Sequence, residues 1–371
     1  MEAPFPLVRV AAADPRERGR IIGEETRAGV IESVAIYEET FAHYTGLGWD
    51  EVRVLAGEFA APIEAYDPVM LAELEGIAEG AGLDLGDVLA INARSEIMFG
   101  LQITPPPECT VFFAGEGATA DGHVLLGQNW DWRPRTAATV TIFEVDQGPE
   151  RPAYFTVAEA GVLGKTGFNE HGIGLTVNAL ISDRDLGEPL LPMHAVVRGI
   201  LNSATVEEAV AAVVRARRGA SITYTVADAG GVGIAMETGP GGVEAVRFVH
   251  PEDDLIFHTN HFTCTVPFRD VGIEAWADTV DRLATIEGFL GARRGTIDLD
   301  LAKEALSDET GHPDSISRFV NPEFHPVLQG ETVTSVIMDL TALRAEVTAG
   351  PPSANEYVPM TPEFAARASV R

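Results

Sequence analysis

The residue best suited to nucleophilic chemistry in this sequence is Cys109, one of only two cysteines in the chain. It follows three consecutive prolines at 105–107 and one glutamate, and it begins the run CTVFFA, whose composition is typical of a strand. A thiolate attacks carbonyl carbons, but a free thiol has a pKa of about 8.5 and needs a nearby base or cation. A lone cysteine at a strand start also suits the protein interior as a small apolar side chain. The surrounding residues therefore decide between the two interpretations.

A hairpin predicted directly after Cys109 brings a carboxylate back towards the thiol. The Asp-Gly pair at 121–122 indicates a turn, and the following residues, VLLGQNWDW, begin as a strand. In an antiparallel hairpin the second strand returns Asp131 to the neighbourhood of Cys109. The residues leave one alternative open, which is a polar turn flanked by two packed tryptophans, Trp130 and Trp132.

Two asparagines end predicted strands further along the chain. Asn178 lies near the end of the run IGLTVNAL, and Asn260 follows the strand that ends in FHT. A side-chain amide at such a position can donate a hydrogen bond to a developing oxyanion. Asparagine also favours turns, so the residue type alone leaves both roles open.

Two histidines, His258 and His261, flank Asn260 with the spacing H-x-x-H. This spacing is known from zinc sites, but the sequence offers no clear third ligand and the context is a strand rather than a helix. We therefore predict no metal and no cofactor. Either histidine could instead act as the base for Cys109 in a cysteine–histidine dyad.

The elements that must position these residues change in kind at Cys109. Before it, Asp-Pro pairs at 14–15 and 67–68 and apolar residues at helical spacing predict helices. After it, short apolar runs separated by glycine-rich turns predict strands, and their short connections favour antiparallel pairing. Helices are also predicted from the capping box at 205–208 and over about 272–290. The fold class is therefore α+β, with antiparallel sheets covered by helices.

The composition restricts the classes of function. The chain has 371 residues, of which 46% are hydrophobic, and its formal net charge is −30. This acidity argues against nucleic-acid binding and against adsorption to an anionic membrane surface, since both depend on Lys and Arg. Two cysteines do not make a disulfide framework. The N-terminus does not resemble a signal peptide, and no apolar stretch reaches about 18 residues, so we expect a cytoplasmic protein that does not bind membranes.

Short motifs in a fixed order resemble one family of enzymes. The segment NARSE at 92–96 precedes Cys109-Thr110, and GQNWDW, GFNEHGIGLTVNAL, TNHF and SISR follow in that order. Together they resemble the acyl-coenzyme A:6-aminopenicillanic acid acyltransferase family, a group of C45-like peptidases among the N-terminal nucleophile hydrolases. Bile salt hydrolase and penicillin V acylase are distantly similar. The resemblance covers nearly the whole chain and implies a four-layer αββα sandwich of antiparallel sheets.

The resemblance also implies self-cleavage. Members of the family are made as inactive zymogens that cut themselves immediately before the nucleophilic cysteine. In this chain the cut would fall between Glu108 and Cys109, dividing a helical segment, 1–108, from a catalytic core, 109–371. The two parts would stay together as one folded unit, an α/β heterodimer that could form higher oligomers. One departure is Glu108 itself, because the penicillin enzyme has glycine there.

The resemblance assigns a role to each motif around the nucleophile. Cleavage would free an α-amine on Cys109, whose pKa of about 7.7–8.0 suits it to take the thiol proton and return it to the leaving group. Asp131 would hold that amine through a charge-assisted hydrogen bond. Arg318 of SISR would lie beside the nucleophile and favour the thiolate.

Four further residues take supporting roles by the same resemblance. Asn260 of TNHF matches the family's oxyanion donor, and Asn178 resembles a second amide donor in the bile salt hydrolase relatives. Arg94 and Glu96 of NARSE would orient the precursor segment.

The predicted activity is amide hydrolysis or acyl transfer on a small molecule through an acyl-enzyme on Cys109. The net charge of −30 disfavours steering of the polyanionic coenzyme A, so hydrolysis of a linear amide or N-acyl compound is preferred. Two alternatives remain open. One is a cysteine hydrolase that uses His258 or His261 as its base, and the other is a non-catalytic binding member of the same fold.

Overall fold

The computed structural model describes residues 2–101 and 109–368. Glu108, and with it the predicted cleavage junction, lies outside these ranges. None of the helices within them is both long enough and apolar enough to cross a bilayer.

The N-terminal part of the chain is mainly helical, as predicted. Its described elements are β1 (Leu7–Ala11), α1 (Pro15–Glu25), α2 (Arg27–Thr45), α3 (Trp49–Gly57), α4 (Ala60–Tyr66), α5 (Pro68–Ala81), α6 (Leu85–Asn92) and α7 (Arg94–Gly100). The predicted signals start α1 and α5, because Asp14 accepts a hydrogen bond from the Glu17 amide and Asp67 accepts one from Val69.

The strand β1 departs from the expectation that this part is wholly helical. Its buried residues, Val8 and Val10, alternate with residues that are more exposed, which is the period of a strand and not of a helix. It pairs in parallel with a strand of the second part of the chain, with Leu7 opposite Ile142. The N-terminal part is thus joined to the main sheet by backbone hydrogen bonds as well as by helix packing.

From Cys109 onwards strands predominate. They are β2 (Thr110–Ala114), β3 (Leu125–Trp132), β4 (Val140–Asp146), β5 (Tyr154–Glu159), β6 (Thr166–Asn169), β7 (Gly174–Ala179), β8 (Ile222–Ala227), β9 (Gly233–Thr238), β10 (Val246–Val249), β11 (Leu255–His258), β12 (Glu331–Asp339), β13 (Arg344–Ala349) and β14 (Val358–Met360). The accompanying helices are α8 (Met193–Leu201), α9 (Val206–Val214), α10 (Gly272–Ala275), α11 (Asp278–Gly291), α12 (Leu299–Leu306) and α13 (Glu363–Ala368).

The strands form two sheets that pack face to face. One sheet has eight strands in the order β1-β4-β5-β6-β7-β8-β9-β10, and the other has six in the order β11-β2-β3-β12-β13-β14. Apart from β1 with β4, the strand pairs described are antiparallel, as predicted. Gln128 on β3 donates a side-chain hydrogen bond to the Val177 carbonyl on β7 at 2.5 Å, which ties the two sheets together.

Helices cover the outer face of each sheet. The helices α2, α8 and α9 pack on the eight-stranded sheet, and α11 and α12 pack on the six-stranded sheet. On the latter side, Asn129 of β3 donates to the carbonyls of Leu306 and Ile316, both at 2.8 Å. The layers therefore run helix, sheet, sheet, helix, and the predicted αββα architecture is confirmed.

The helices α1 and α5 make an unusually close contact. A Cβ atom at Gly19 would lie 2.0 Å from the Glu73 carbonyl oxygen, and one at Gly76 would lie 2.1 Å from that of Arg16. Only glycine permits this approach. The contact positions the Glu73 carboxylate, which is fully buried, between the guanidinium groups of Arg18 and Arg198, with Nε of Arg18 at 2.7 Å.

Candidate active site

The hairpin predicted after Cys109 is present and sets the geometry of the site. The strands β2 and β3 pair antiparallel, with Thr110 opposite Asn129. Cys109 directly precedes β2, and Asp131 lies two residues beyond Asn129 on β3. The end of β3 that carries Asp131 therefore lies alongside the start of β2.

Cys109 is buried and has a rare backbone conformation. Its side chain and main chain together are 1% exposed, and its φ of 90° lies in the left-handed region that residues other than glycine seldom adopt. The Cys109 carbonyl oxygen accepts hydrogen bonds from Nη1 of Arg282 at 2.8 Å and from Nδ2 of Asn178 at 3.3 Å. Two side chains from different layers of the sandwich therefore hold the main chain of this residue.

Asn260 is held in one orientation by three neighbours. Its Oδ1 accepts a hydrogen bond from Nη2 of Arg282 at 2.8 Å, and its Nδ2 donates to the Ala179 carbonyl at 3.0 Å. Its backbone N–H donates to Oγ1 of Thr279 at 2.7 Å. Because a guanidinium only donates hydrogen bonds, it fixes which end of the amide is the oxygen. Asn260 and Cys109 thus share Arg282 as a direct partner.

Asn178 reaches the same place from the other sheet. Besides its bond to Cys109, its Nδ2 contacts the His258 carbonyl at 3.4 Å. Its Oδ1 is buried and accepts no hydrogen bond from the described residues. Of the two asparagines predicted as amide donors, Asn178 therefore contacts Cys109 directly, and Asn260 is connected to it through Arg282.

Asp131 and Arg318 form a loose ion pair at the end of β3. The Asp131 Oδ1 accepts a hydrogen bond from Oγ1 of Thr332 at 2.6 Å, whereas its Oδ2 lies 3.7 Å from Nε of Arg318. Within the described residues neither Oδ2 nor this Nε has a hydrogen-bond partner, although both are buried. Burial raises the pKa of Asp131, and the nearby charges of Arg318 and Arg282 only partly offset it.

A second carboxylate, Asp278, links the two arginines. Its Oδ2 accepts hydrogen bonds from Nε of Arg282 at 2.7 Å and from Nη2 of Arg318. Burial acts to raise the pKa of Asp278, but the two guanidinium groups outweigh it and the pKa is lowered. Charges of alternating sign therefore run from Asp131 through Arg318 and Asp278 to Arg282.

Sequence reasoning missed Arg282 and Asp278. Their only local signal is the spacing i, i+4 of opposite charges on α11. Such pairs are common on solvent-facing helix surfaces, where they contribute a few tenths of a kcal/mol. The packing of α11 on the six-stranded sheet buries Arg282, and this could not be seen from the spacing.

Both ring nitrogens of His258 have hydrogen-bond partners, which are Thr259, Glu237 and Thr223. Its Nδ1 donates to the Thr259 carbonyl at 2.8 Å, and its Nε2 lies 3.1 Å from Oε1 of Glu237 and 3.2 Å from Oγ1 of Thr223. Both ring nitrogens of His258 therefore face oxygen atoms of neighbouring groups, and Nε2 lies beside the Glu237 carboxylate. Burial opposes ionisation of Glu237, but His258 outweighs it and lowers the pKa of Glu237 to about 2.

His261 lies in the same loop and is held by hydroxyl groups. Its Nδ1 is 3.3 Å from Oγ1 of Thr259 and 3.1 Å from Oγ1 of Thr279. Burial, together with the charges of His258 and Arg282, lowers the pKa of His261 to about 4. The ring is therefore neutral near pH 7.

Arg94 and Glu96 lie in the packing of α7 against α8 and the eight-stranded sheet. Arg94 donates to the Tyr37 hydroxyl at 2.5 Å and pairs with Glu159 of β5 at 3.3 Å. Glu96 accepts a hydrogen bond from the Met193 amide, the first residue of α8, at 2.7 Å. The predicted role of Arg94 and Glu96 in orienting the precursor segment concerns residues 102–108, which lie outside the described ranges, and stays a prediction.

No group of three or more His, Cys, Asp and Glu side chains in the described ranges has the arrangement of a metal site. Two described neighbours of Cys109 are the amide of Asn178 and the guanidinium of Arg282, which both donate to its carbonyl oxygen.

Comparison with known proteins identifies sequence relatives over most of the chain. The sequence model of the family described as acyl-coenzyme A:6-aminopenicillanic acid acyl-transferase matches residues 118–354, well over half of the chain. The 40 kDa form of acyl-coenzyme A:6-aminopenicillanic-acid-acyltransferase from Emericella nidulans is 27% identical over 307 residues, covering 82% of this chain and 81% of that protein. An uncharacterized protein from Archaeoglobus fulgidus is 25% identical over 330 residues, covering 78% of this chain and 54% of that protein.

Solved structures with a similar arrangement include two amide-cleaving enzymes. The Caenorhabditis elegans orthologue of N-acylethanolamine-hydrolyzing acid amidase has a TM-score of 0.46 at 18% identity, covering 63% of this chain and 93% of that chain. Penicillin V acylase from Agrobacterium tumefaciens has a TM-score of 0.40 at 16% identity, covering 65% and 83%. The family match is the stronger finding, and on it the chain belongs to the acyl-coenzyme A:6-aminopenicillanic acid acyl-transferase family.

Proposed function

We propose that this protein is a cysteine-dependent N-terminal nucleophile enzyme that cleaves a small linear amide or N-acyl compound through an acyl-enzyme on Cys109. Membership of an acyltransferase family supports the general kind of reaction. The assignment of the nucleophile and of its supporting groups goes beyond the family match and rests on the geometry described above.

One observation carries the proposal. Asn178 on β7 and Arg282 on α11 both donate to the carbonyl oxygen of Cys109, and Arg282 also holds the amide of Asn260. A cysteine that only filled space in the core would need no such set of buried amide and guanidinium groups around its main chain. Buried polar groups of this density are typical of a reaction site.

The reaction follows from the chemistry of these groups. The Cys109 sulfur attacks the substrate carbonyl carbon and forms a C–S bond, while the carbonyl electrons move to its oxygen. An amide N–H of Asn260 stabilises that oxyanion. Collapse of the intermediate breaks the C–N bond, and the proton taken from the thiol passes to the leaving amine. Water then attacks the thioester, the C–S bond breaks, and the proton taken from the water returns to the sulfur as the acid is released.

The proton carrier in this scheme is the α-amino group that cleavage before Cys109 would expose. Asp131 supports this role because its Oδ2 is buried beside Arg318 and accepts no hydrogen bond from the described residues. An ammonium group at the start of β2 would supply the missing partner by a charge-assisted bond. The same cleavage would make the mature protein an α/β heterodimer of residues 1–108 and 109–371.

The substrate class is a small amide, and hydrolysis is preferred over transfer from coenzyme A. A net charge of −30 repels a polyanionic thioester at long range and slows its association. A neutral or cationic N-acyl compound meets no such barrier.

Two measurements test this proposal. A panel of N-acyl amides is incubated with the wild type and with Cys109→Ala, and the release of amine is followed. Intact-mass spectrometry on the same samples reports a thioester adduct on the chain that contains Cys109, and it shows whether that chain begins at residue 109. We expect amide cleavage that Cys109→Ala abolishes. Persistence of the activity in Cys109→Ala would refute the nucleophile assignment, and an intact chain in fully active protein would refute the self-cleavage.

The cysteine–histidine dyad has weaker support. Both nitrogens of His258 already lie within hydrogen-bond distance of Thr259, Glu237 or Thr223, so a thiol would have to compete with these partners for the ring. His261 is the remaining histidine candidate. We expect His261→Ala to retain amide cleavage within about tenfold, and a loss of several hundredfold would favour the dyad. Failure of a thiol-reactive acyl probe to label Cys109 would instead favour a non-catalytic binding protein.

A further inference from the structure

Arg282 has a described partner for each of its three guanidinium nitrogens. Its Nε donates to Asp278 at 2.7 Å, and its Nη1 donates to the Cys109 carbonyl at 2.8 Å and to Oγ1 of Thr110 at 2.9 Å. Its Nη2 donates to Oδ1 of Asn260 at 2.8 Å. The side chain is buried, 2% exposed. Arg282 thus directly joins the proposed nucleophile to the proposed oxyanion donor.

The shape of the guanidinium determines what these bonds do. The group is planar and its N–H directions are fixed, so the Cys109 carbonyl oxygen and the Asn260 side-chain oxygen that it binds keep a fixed separation. A bond from Nη2 to the Asn260 oxygen prevents the amide from rotating by half a turn, because rotation would set an NH2 group against a cation. The Asn260 Nδ2 is therefore kept as the donor end, which is the end that an oxyanion needs.

The bond from Nη1 acts on Cys109 itself. Cys109 has a φ of 90°, which is costly for a residue with a side chain. A conformation of this kind persists only when the surroundings hold it, and the carbonyl of Cys109 is held by Arg282 and Asn178. The direction of the Cys109 side chain thus depends on the same arginine that orients Asn260.

Asp278 holds Arg282 in place and connects it to the other half of the site. The same carboxylate oxygen of Asp278 accepts from Arg282 and from Arg318, and Arg318 lies beside Asp131. Because the pKa of Asp278 is lowered by these two arginines, it stays ionised at neutral pH and keeps both guanidinium groups oriented.

We propose that Arg282 is a positioning residue, which sets the Asn260 amide and the Cys109 main chain at the separation needed for attack on a carbonyl. The inference rests on the proposed function, because it assumes Cys109 as the nucleophile and Asn260 as the oxyanion donor. Lysine cannot replace Arg282, since its three donors sit on one nitrogen and cannot reach the separate acceptors that the three nitrogens of the planar guanidinium reach.

The test compares a reaction that forms an oxyanion with one that does not. Acylation of Cys109 by a p-nitrophenyl ester passes through a tetrahedral oxyanion, whereas alkylation of the same thiol by iodoacetamide does not. Rates of both are measured by intact mass for the wild type, Arg282→Lys, Asp278→Asn and Cys109→Ala. Arg294→Lys serves as the matched control, because Arg294 is an exposed arginine that contacts Asp253 and Asp254 on the surface.

We expect Arg282→Lys to slow acylation by about 100-fold or more, as for loss of an oxyanion donor, and alkylation by less than about fivefold. Asp278→Asn is expected to slow acylation by about tenfold, and Arg294→Lys to change neither rate. A variant that stays uncleaved where the wild type is cleaved, yet is alkylated normally, also supports the inference, because self-cleavage is an attack on a carbonyl.

Three outcomes would overturn the inference. The first is an Arg282→Lys variant that is acylated at the wild-type rate, and the second is one whose acylation and alkylation rates fall equally. If Arg282→Lys does not fold, the third is an Asp278→Asn variant that folds and is acylated at the wild-type rate. Failure of the proposed function itself looks different, because the wild type would then resist acylation or Cys109→Ala would react as well as the wild type.

Discussion

The Oδ2 of Asp131 lies 3.7 Å from Nε of Arg318, and neither atom takes part in a hydrogen bond with the described residues, although both side chains are buried. An oppositely charged pair this close normally closes to hydrogen-bond distance. Here Arg318 is held at its other two nitrogens by Asp314 and Asp278. Asp131 is therefore a buried carboxylate with one oxygen still available to accept a hydrogen bond from a donor at the start of β2.

Asp131→Asn should remove most of the activity without unfolding the protein. The amide can still accept the hydrogen bond from Thr332, but it no longer carries the charge that would hold an ammonium group. We expect a loss in kcat of about 100-fold or more, the size typical of proton-transfer groups.

The matched control is Asp339→Asn, which alters a buried carboxylate opposite Leu125, at the far end of β3. It should leave kcat unchanged. Steady-state kinetics measures kcat for both variants, and thermal unfolding checks that both are folded. Equal effects of the two changes on kcat would contradict the role of Asp131.

Asn260→Ala and Asn178→Ala should differ in their effect. Asn260 is the proposed oxyanion donor, so its loss should lower kcat by about 10²–10³-fold with little change in KM. Asn178 bonds to the Cys109 carbonyl at the longer distance of 3.3 Å and shares that task with Arg282. We expect a loss of about tenfold for Asn178→Ala. Steady-state kinetics on the two variants measures both losses, and a larger loss of kcat for Asn178→Ala than for Asn260→Ala would contradict this prediction.

Glu96 makes the stability of the protein depend on pH. Burial is the main cause that raises the pKa of Glu96 from 4.5 to about 7, and hydrogen bonds from the backbone amides and the charge of Arg94 oppose it only in part. Between these values the folded state keeps a proton that the unfolded state has lost, so the free energy of unfolding falls as the pH rises. The contribution is complete below about pH 4.5 and is lost above about pH 7, and it amounts to ~3 kcal/mol.

Glu96→Gln isolates this effect, because the amide oxygen can still accept from Met193. Denaturant unfolding of both proteins is measured between about pH 4.5 and pH 8. As the pH rises, the free energy of unfolding of the variant should increase by ~3 kcal/mol relative to that of the wild type. Parallel curves for the two proteins would show that Glu96 does not titrate in this range.

Glu73→Gln should be the most destabilising of these changes. The Glu73 carboxylate is fully buried and lies between Arg18 and Arg198, at 2.7 Å from each. Removing its charge leaves two buried guanidinium groups without a counter-ion, at an expected cost of about 3–5 kcal/mol.

Glu75→Gln is the control on the same helix, because Glu75 pairs with Arg16 at the surface. It should cost less than about 1 kcal/mol. Thermal unfolding of the two variants measures the difference, and similar midpoints would contradict the importance of the buried pair.

Local signals in the sequence predicted much of the fold. The Asp-Pro pairs predicted the starts of α1 and α5, and the alternation and turn residues after Cys109 predicted the hairpin β2–β3. These features depend on capping, turn chemistry and side-chain period, which act over a few residues. The strand β1 was missed because a five-residue run has weak periodicity and its partner, β4, lies more than 130 residues away.

The order of the motifs was enough to name Cys109, Asp131, Asn178, Asn260 and Arg318, since each residue occurs in a short and recognisable segment. The relation among them was not visible there. Arg282 bonds to the carbonyl of a residue 173 positions earlier, and it does so because α11 packs across the six-stranded sheet. Long-range packing has no signature in spacing or composition, so the residue that joins the proposed nucleophile to its proposed amide donor emerges only once the chain is folded.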